Sequence, residues 1–255
     1  MSWLGKMIGG TIGFALGGPI GAVAGAAFGH TFVDKKEEEY LKSIPGKRGP
    51  GLSSNEESQL VFFTAAFSML AKISKADGRI NEKEIKAVER FMTHDLQLDA
   101  SGQETAKNIF RQAISSPESF EAFARQFHSV FRYQPNILEL MLDVLLRVSA
   151  ADGSISSGEE AMLQSAAAIF GYSQSDFQQM RSRYVRKIDP YYAVLKCEET
   201  ATNDEIKKQY RALAREYHPD KIEAKGLPEE FIKLANDKFN ELQEAYDHIR
   251  KARGF

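Results

Sequence analysis

The tripeptide His218-Pro219-Asp220 holds the residue types most able to do chemistry, an imidazole that titrates near neutrality and a carboxylate two places on. A hydrolytic dyad would also need a nucleophile, an oxyanion donor and a cavity, and the surrounding sequence supplies none of them. One histidine and one aspartate are too few ligands for a metal site. Just upstream lie the cations Lys207, Lys208, Arg211 and Arg215. Lys207, Arg211 and Arg215 recur every four residues and so share one helix face. A basic strip beside a proline-stiffened corner suits docking on an acidic protein surface. No residue is expected to be catalytic, and the chain is not expected to be an enzyme.

A second set of candidates comes from an internal repeat. "KISKADGRINEKE" at 72–84 matches "RVSAADGSISSGE" at 147–159, with the shared frame Ala-Asp-Gly-x-Ile-x-x-x-Glu. Such self-similarity points to two related helix-loop-helix units. Asp77 with Glu84, and Asp152 with Glu159, could offer hard oxygen ligands to a divalent cation. The spacing is not that of an EF-hand. The same frame also reads as helix punctuation. Gly78 and Gly153 can end one helix in the left-handed conformation. Asn81 with Glu84, and Ser156 with Glu159, can open the next through a capping box. Both readings stay open at this point.

The remaining elements must position these groups. Residues 55–186 carry apolar side chains at helical spacing, with Leu60, Phe63, Phe67, Leu70 and Ile73 on one face. About seven helices and no strand are expected there. "PNILELMLDVLLRVSAA" is apolar enough for a buried central helix, and Ser116 before Pro117 is the expected cap of the helix preceding it. In residues 189–255, Thr202 and Glu205 form a capping box ahead of a helix that buries Ile206, Tyr210, Leu213 and Tyr217. Pro219 ends that helix near Tyr217 and leaves an exposed loop. A last helix after Pro228 buries Phe231, Ala235, Phe239, Leu242, Tyr246 and Ile249. The fold class is therefore all-α.

The first 33 residues differ in kind. Glycine recurs at Gly5, Gly9, Gly13, Gly17, Gly21, Gly25 and Gly29, and from Met7 to Val33 the only ionisable side chain is that of His30. A helix through this stretch would be about 40 Å long, more than the roughly 30 Å hydrocarbon core of a bilayer. The ladder at Gly9, Gly13, Gly17, Gly21 and Gly25 would let two such helices approach closely. The expectation is a single membrane-spanning helix that pairs with a second copy. A cleaved signal peptide and a soluble glycine-rich arm are the alternatives. More basic residues follow the segment than precede it, which places the bulk of the chain in the cytoplasm. Residues 34–54, charged and then rich in Pro, Gly and Ser, read as a linker. A net charge of −2 gives no general basic excess for nucleic acid, and the lone Cys197 allows neither an internal disulfide nor a Cys-x-x-Cys zinc site.

"DPYYAVL", "DEIKKQYRALAREYHPDK" and "FNELQEAY" resemble a J domain over residues 189–253. The resemblance implies a DnaK-type ATPase chaperone as partner. It implies that His218, Pro219 and Asp220 engage that ATPase and provoke hydrolysis, and that Lys207, Lys208, Arg211 and Arg215 dock on its acidic surface. Residues 55–186 resemble the TerB-like helical domain, a family associated with divalent metal. The second repeat here has Ala150 and Ser157 where the first has Lys75 and Glu82, so its acidic supply is thinner. Two departures from the J-domain pattern stand out: Cys197 replaces part of a common Gly-Val step, and the loop "KIEAKGLPEEF" is longer than a minimal one. The whole layout is similar to the membrane-anchored, DjlA-type J-domain co-chaperones of the bacterial inner membrane. No cofactor is required on that reading. The client is unnamed, and the middle domain is the adaptor. The competing reading is a membrane-bound scaffold responsive to divalent metal or stress, built on the middle domain.

Overall fold

The computed structural model of the chain describes residues 17–29, 54–78, 80, 82–185, 190–224 and 226–255. Every regular element among them is helical. The first is α1 (Gly18–Gly29). The middle domain holds α2 (Ser54–Ile73), α3 (Glu82–Arg90) running into a π turn (Phe91–Asp95), α4 (Ala100–Ser115), α5 (Phe120–Phe131), α6 (Pro135–Ser149), α7 (Ser157–Ile169) and α8 (Gln174–Val185). The carboxyl-terminal part holds α9 (Pro190–Val194), α10 (Asn203–Glu216), α11 (Pro219–Glu223) and α12 (Glu229–Arg253).

The middle domain is built around α2 and α6. Pro135 opens α6 without losing a needed donor, and the helix is buried along almost its whole length. Helix α2 contributes Phe62, Phe63 and Phe67, all fully buried, with Ala65 and Ala66 between them and Ala71 one turn on. Phe62 meets Phe127 and Phe131 of α5 edge-on, at ring distances of 5.5 and 6.2 Å. Each such buried ring is worth about 2–3 kcal/mol of removed apolar area. Helix α4 begins where the Asp99 carboxylate accepts from the Gly102 N–H. The cap of α5 differs from expectation: Ser119, not Ser116, accepts from the Ala122 N–H. Ser116 instead closes α4.

The second repeat behaves as its sequence predicts. Ser156 and Glu159 form a reciprocal capping box at the start of α7, and Gly153 is left-handed at φ +91°. In the first repeat Gly78 is left-handed at φ +87°, while Asn81 lies outside the described residues. The first Asp-Gly loop abuts the start of α7. At Gly158, in the first turn of α7, a Cβ would stand 2.7 Å from Asp77 Oδ1. The glycine therefore lets Asp77 approach the amino end of α7, where a negative charge is favoured.

The amino-terminal expectation is altered. Gly17 and Gly18 are left-handed, at φ +54° and +60°, and interrupt the ladder. The helix that follows has 12 residues, about 18 Å long. It lies against α2, α4 and α5 of its own chain, burying Ile20, Val23, Ala24 and Ala27. Gly21 is buried, Gly25 half-buried and Gly17 exposed; Gly9 and Gly13 lie outside the described residues, as does most of the linker. Among the described residues no helix is long and apolar enough to cross a membrane.

Candidate functional site

The corner at 218–220 is the start of a short helix rather than an open loop. Helix α10 ends at Glu216, with Tyr217 as its buried cap. His218 turns out of helical geometry, as a residue before proline does, and its Nδ1 accepts from the Asp220 N–H at 3.3 Å. Pro219 opens α11, where its missing N–H costs nothing. The imidazole stands edge-on to the Phe239 ring of α12 at 5.9 Å, and its Nδ1 lies 3.6 Å from the Asp220 carboxylate. The His218 side chain is 50% exposed and that of Asp220 is 89% exposed. His218 and Asp220 thus turn their polar atoms outward on either side of the half-buried Pro219.

The cation strip lies on the adjoining surface of α10. Lys208, Arg211 and Arg215 are exposed and make no ion pair among the described residues. Lys207 is partly withdrawn: it lies 3.9 Å from Asp204 and over the Phe255 ring at 4.8 Å. The opposite side of α10 is closed by Ile206 and Leu213, with Tyr210 stacked on Tyr246 of α12 at 4.1 Å. As the sequence predicts, α12 buries Phe231, Ala235, Leu242 and Ile249, but Phe239 and Tyr246 are only half covered.

What holds this unit in place was not visible in the motifs. Helix α12 also buries Leu234 and Lys238. Phe231 stands 4.6 Å from Phe62 and near Phe63 and Phe91 of the middle domain. The long loop before α12 closes on the same domain. Leu227 is fully buried, and its carbonyl accepts from Gln59 Nε2 at 3.2 Å. Gly226 is left-handed, and a Cβ there would lie 3.1 Å from Asn55 Oδ1. The extra residues in "KIEAKGLPEEF" are therefore a seat on α2.

Beside that seat is a buried charge cluster. Glu139 and Asp143, one turn apart on α6, face three cations. Lys196 Nζ is 2.7 Å from Glu139, Lys238 Nζ is 2.9 Å from Asp143, and Arg183 of α8 is within 3.9 Å of both carboxylates. Burial alone would push the Asp143 carboxyl up; Lys238 and Arg183 outweigh it and hold the value at about 2. For Glu139, burial is likewise outweighed by Lys238, Lys196 and Arg183, so its value falls below the ordinary one. Lys196 adopts a left-handed backbone, φ +53°. At the other end, Arg253 donates to the Tyr192 hydroxyl and to the carbonyls of Glu199 and Ala201, pinning the α9–α10 loop.

The four carboxylates of the repeat line one cavity of about 390 Å³, together with Ser74, Ser154 and Ser156. Burial, and beyond it the charges of Glu84 and Asp77, raise the Glu159 carboxyl above its ordinary value. Yet Glu159 is engaged in its cap and Asp152 in a turn with Ser154. Among the described residues no three acidic, histidine or cysteine side chains converge closely enough to hold an ion. Cys197 is half-buried and free, its thiol pushed up by burial.

A model for the co-chaperone DjlA transmembrane domain matches residues 1–53, one for the tellurite resistance protein TerB matches 63–182, and one for the DnaJ domain matches 190–253. No solved structure matches the chain. The co-chaperone protein DjlA of Coxiella burnetii is 32% identical over 99% of both chains. That of Photobacterium profundum is 31% identical over 98% of this chain and 99% of its own. That of Escherichia coli K12 is 28% identical over 80% of this chain and 83% of its own. Identity of 32% along 99% of both chains, together with consecutive matches to the DjlA transmembrane, TerB and DnaJ models, places this chain in the DjlA family of membrane-anchored J-domain co-chaperones.

Proposed function

We propose that the chain stimulates ATP hydrolysis by a DnaK-type chaperone and directs it to clients at the membrane. His218, Pro219 and Asp220 act as the trigger, while Lys208, Arg211 and Arg215, with Lys207 at the edge, steer the acidic partner onto α10. The carrying observation is that the corner and the cations stay exposed although the rest of the unit is seated on the middle domain. The chain acts on another protein's nucleotide chemistry and turns over no substrate itself. ATP is cytoplasmic, so the middle and carboxyl-terminal domains face the cytoplasm and the amino-terminal segment crosses the inner membrane once. Single-turnover hydrolysis by a DnaK-type ATPase tests the reading. The parent chain accelerates it several-fold and His218→Gln does not; equal acceleration by both overturns it.

Self-association through the glycine ladder is part of the same reading. It requires α1 to leave the middle domain, because Gly21 is buried there. Gly21→Leu weakens association in detergent if the ladder mediates pairing. The second reading, a scaffold responsive to divalent metal, rests on the cavity shared by Asp77, Glu84, Asp152 and Glu159. A melting temperature raised by Ca²⁺, Mg²⁺ or Zn²⁺, and no longer raised after Asp77→Asn, supports it. An unchanged melting temperature leaves those residues as caps.

A further inference from the structure

We propose that the groove between α2, α4 and α5 is a docking site for glycine- and alanine-rich apolar helices of membrane-protein clients, with α1 as its resident occupant. The observation is the way α1 is held. Ile20, Val23, Ala24 and Ala27, at i, i+3, i+4 and i+7, face the groove and are at most 7% exposed. Ala24 and Ala27, with the buried Gly21, leave little side chain between the helices, so recognition is by close approach of one helix to another.

The polar grip of Gln126 on α1 reads backbone. Gln126 of α5 donates from Nε2 to the Gly17 carbonyl at 2.9 Å, and its Oε1 accepts from the Ile20 N–H at 2.8 Å. That N–H is one of the donors a helix start leaves without an internal partner. At Gly18 a Cβ would lie 2.7 Å from Gln126 Oε1. The site thus selects a glycine at the helix entrance, where φ is +60°, followed by apolar residues at i, i+3, i+4 and i+7. Membrane-spanning helices commonly have that composition.

The resident occupant is conditional. Residues 18–29 fall within the match to the family's transmembrane domain, and a helix in lipid cannot also lie in the groove. When the anchor is inserted, the groove presents apolar surface to water. Covering it again is favourable by roughly 25 cal/mol for each Å² removed. A helix of the same chemistry, exposed on a client outside the bilayer, fits the vacated place. This gives the adaptor role of the middle domain a physical form. It takes its meaning from the co-chaperone reading, but its test does not depend on it.

The test uses the full chain in vesicles of phosphatidylethanolamine and phosphatidylglycerol. The probe is a peptide with the sequence of residues 17–29, a lysine tail for solubility and a photoreactive leucine at the place of Val23. Illumination is expected to label α2, α4 and α5. Labelling falls about tenfold with Gln126→Ala, the change expected from losing the paired backbone contacts, and equally when the peptide carries leucine at the place of Gly18. Labelling confined to other surfaces, absent, or indifferent to both changes overturns the proposal. Circular dichroism of Gln126→Ala guards against misfolding. ATPase stimulation in the same vesicles reports separately on the co-chaperone reading: its absence with groove labelling intact would sink that reading and leave this one standing.

Discussion

Lys196 stands in a backbone conformation that glycine adopts freely and other residues adopt at a cost of about 1–2 kcal/mol. The 2.7 Å ion pair with Glu139 of the middle domain offsets that cost. Lys196→Ala keeps the strain and loses the pair, whereas Lys196→Gly loses both. Denaturant titration of the full chain should find both variants less stable than the parent, with the glycine form about 1 kcal/mol above the alanine form. Asp143, in the same cluster, makes a pH prediction. Its folded value of about 2 lies below the ordinary 3.8. The folded state therefore binds the proton more weakly than the unfolded one. The resulting stability, about 2 kcal/mol, is complete above the ordinary value and is lost as pH falls through the folded value. Melting temperature followed from pH 6 downward should decline over that interval. Asp143→Asn should flatten the decline, while lowering stability at neutral pH by about 3 kcal/mol because Lys238 and Arg183 lose their nearer carboxylate.

At the level of elements, α12 serves two masters: one face packs on α10 and the other on the middle domain. Phe231 is fully buried between Phe62, Phe63 and Phe91. Phe231→Ala should cost about 3–5 kcal/mol and, by loosening the seat, split one calorimetric unfolding transition into two. A single transition shifted as a whole would show that the seat is not what couples the parts. The helical stripes that built α2, α6, α10 and α12 were legible because local periodicity encodes them, as were the capping boxes at Thr202 and Ser156. The His-Pro-Asp corner was legible because the tripeptide and its flanks are local too. Three things were not. Lys238 reads as one more cation on a charged helix until Glu139 and Asp143 stand opposite it. The length of "KIEAKGLPEEF" reads as tolerance until Leu227 is found buried. The glycine ladder predicts a continuous helix, but the left-handed Gly17 and Gly18 and the grip of Gln126 depend on a partner surface more than a hundred residues away. All three are tertiary pairings, and periodicity carries no record of them.

For the molecule as a whole, the question is how a chain with net charge −2 could capture the acidic surface proposed for its partner. Its cations are not spread evenly. Lys196, Lys238 and Arg183 are consumed inside by Glu139 and Asp143, whereas Lys208, Arg211 and Arg215 remain outside and unpaired among the described residues. Only the outer set can act at a distance, and the screening length is about 8 Å at physiological ionic strength. Two separable roles follow for the docking surface. On the proposed reading the strip would govern encounter, because exposed charges act on association rate more than on residence. On that reading the corner at 218–220 would govern the response, because its half-exposed imidazole acts only after contact. Stopped-flow association with a DnaK-type ATPase should therefore slow as salt rises. Arg211→Glu should lower the rate about tenfold at low salt and make its salt dependence shallower. His218→Gln should leave both the rate and its salt dependence unchanged while abolishing the acceleration of hydrolysis. Equal loss of association rate in the two variants would mean that encounter and trigger are one event, and that the division between strip and corner does not hold.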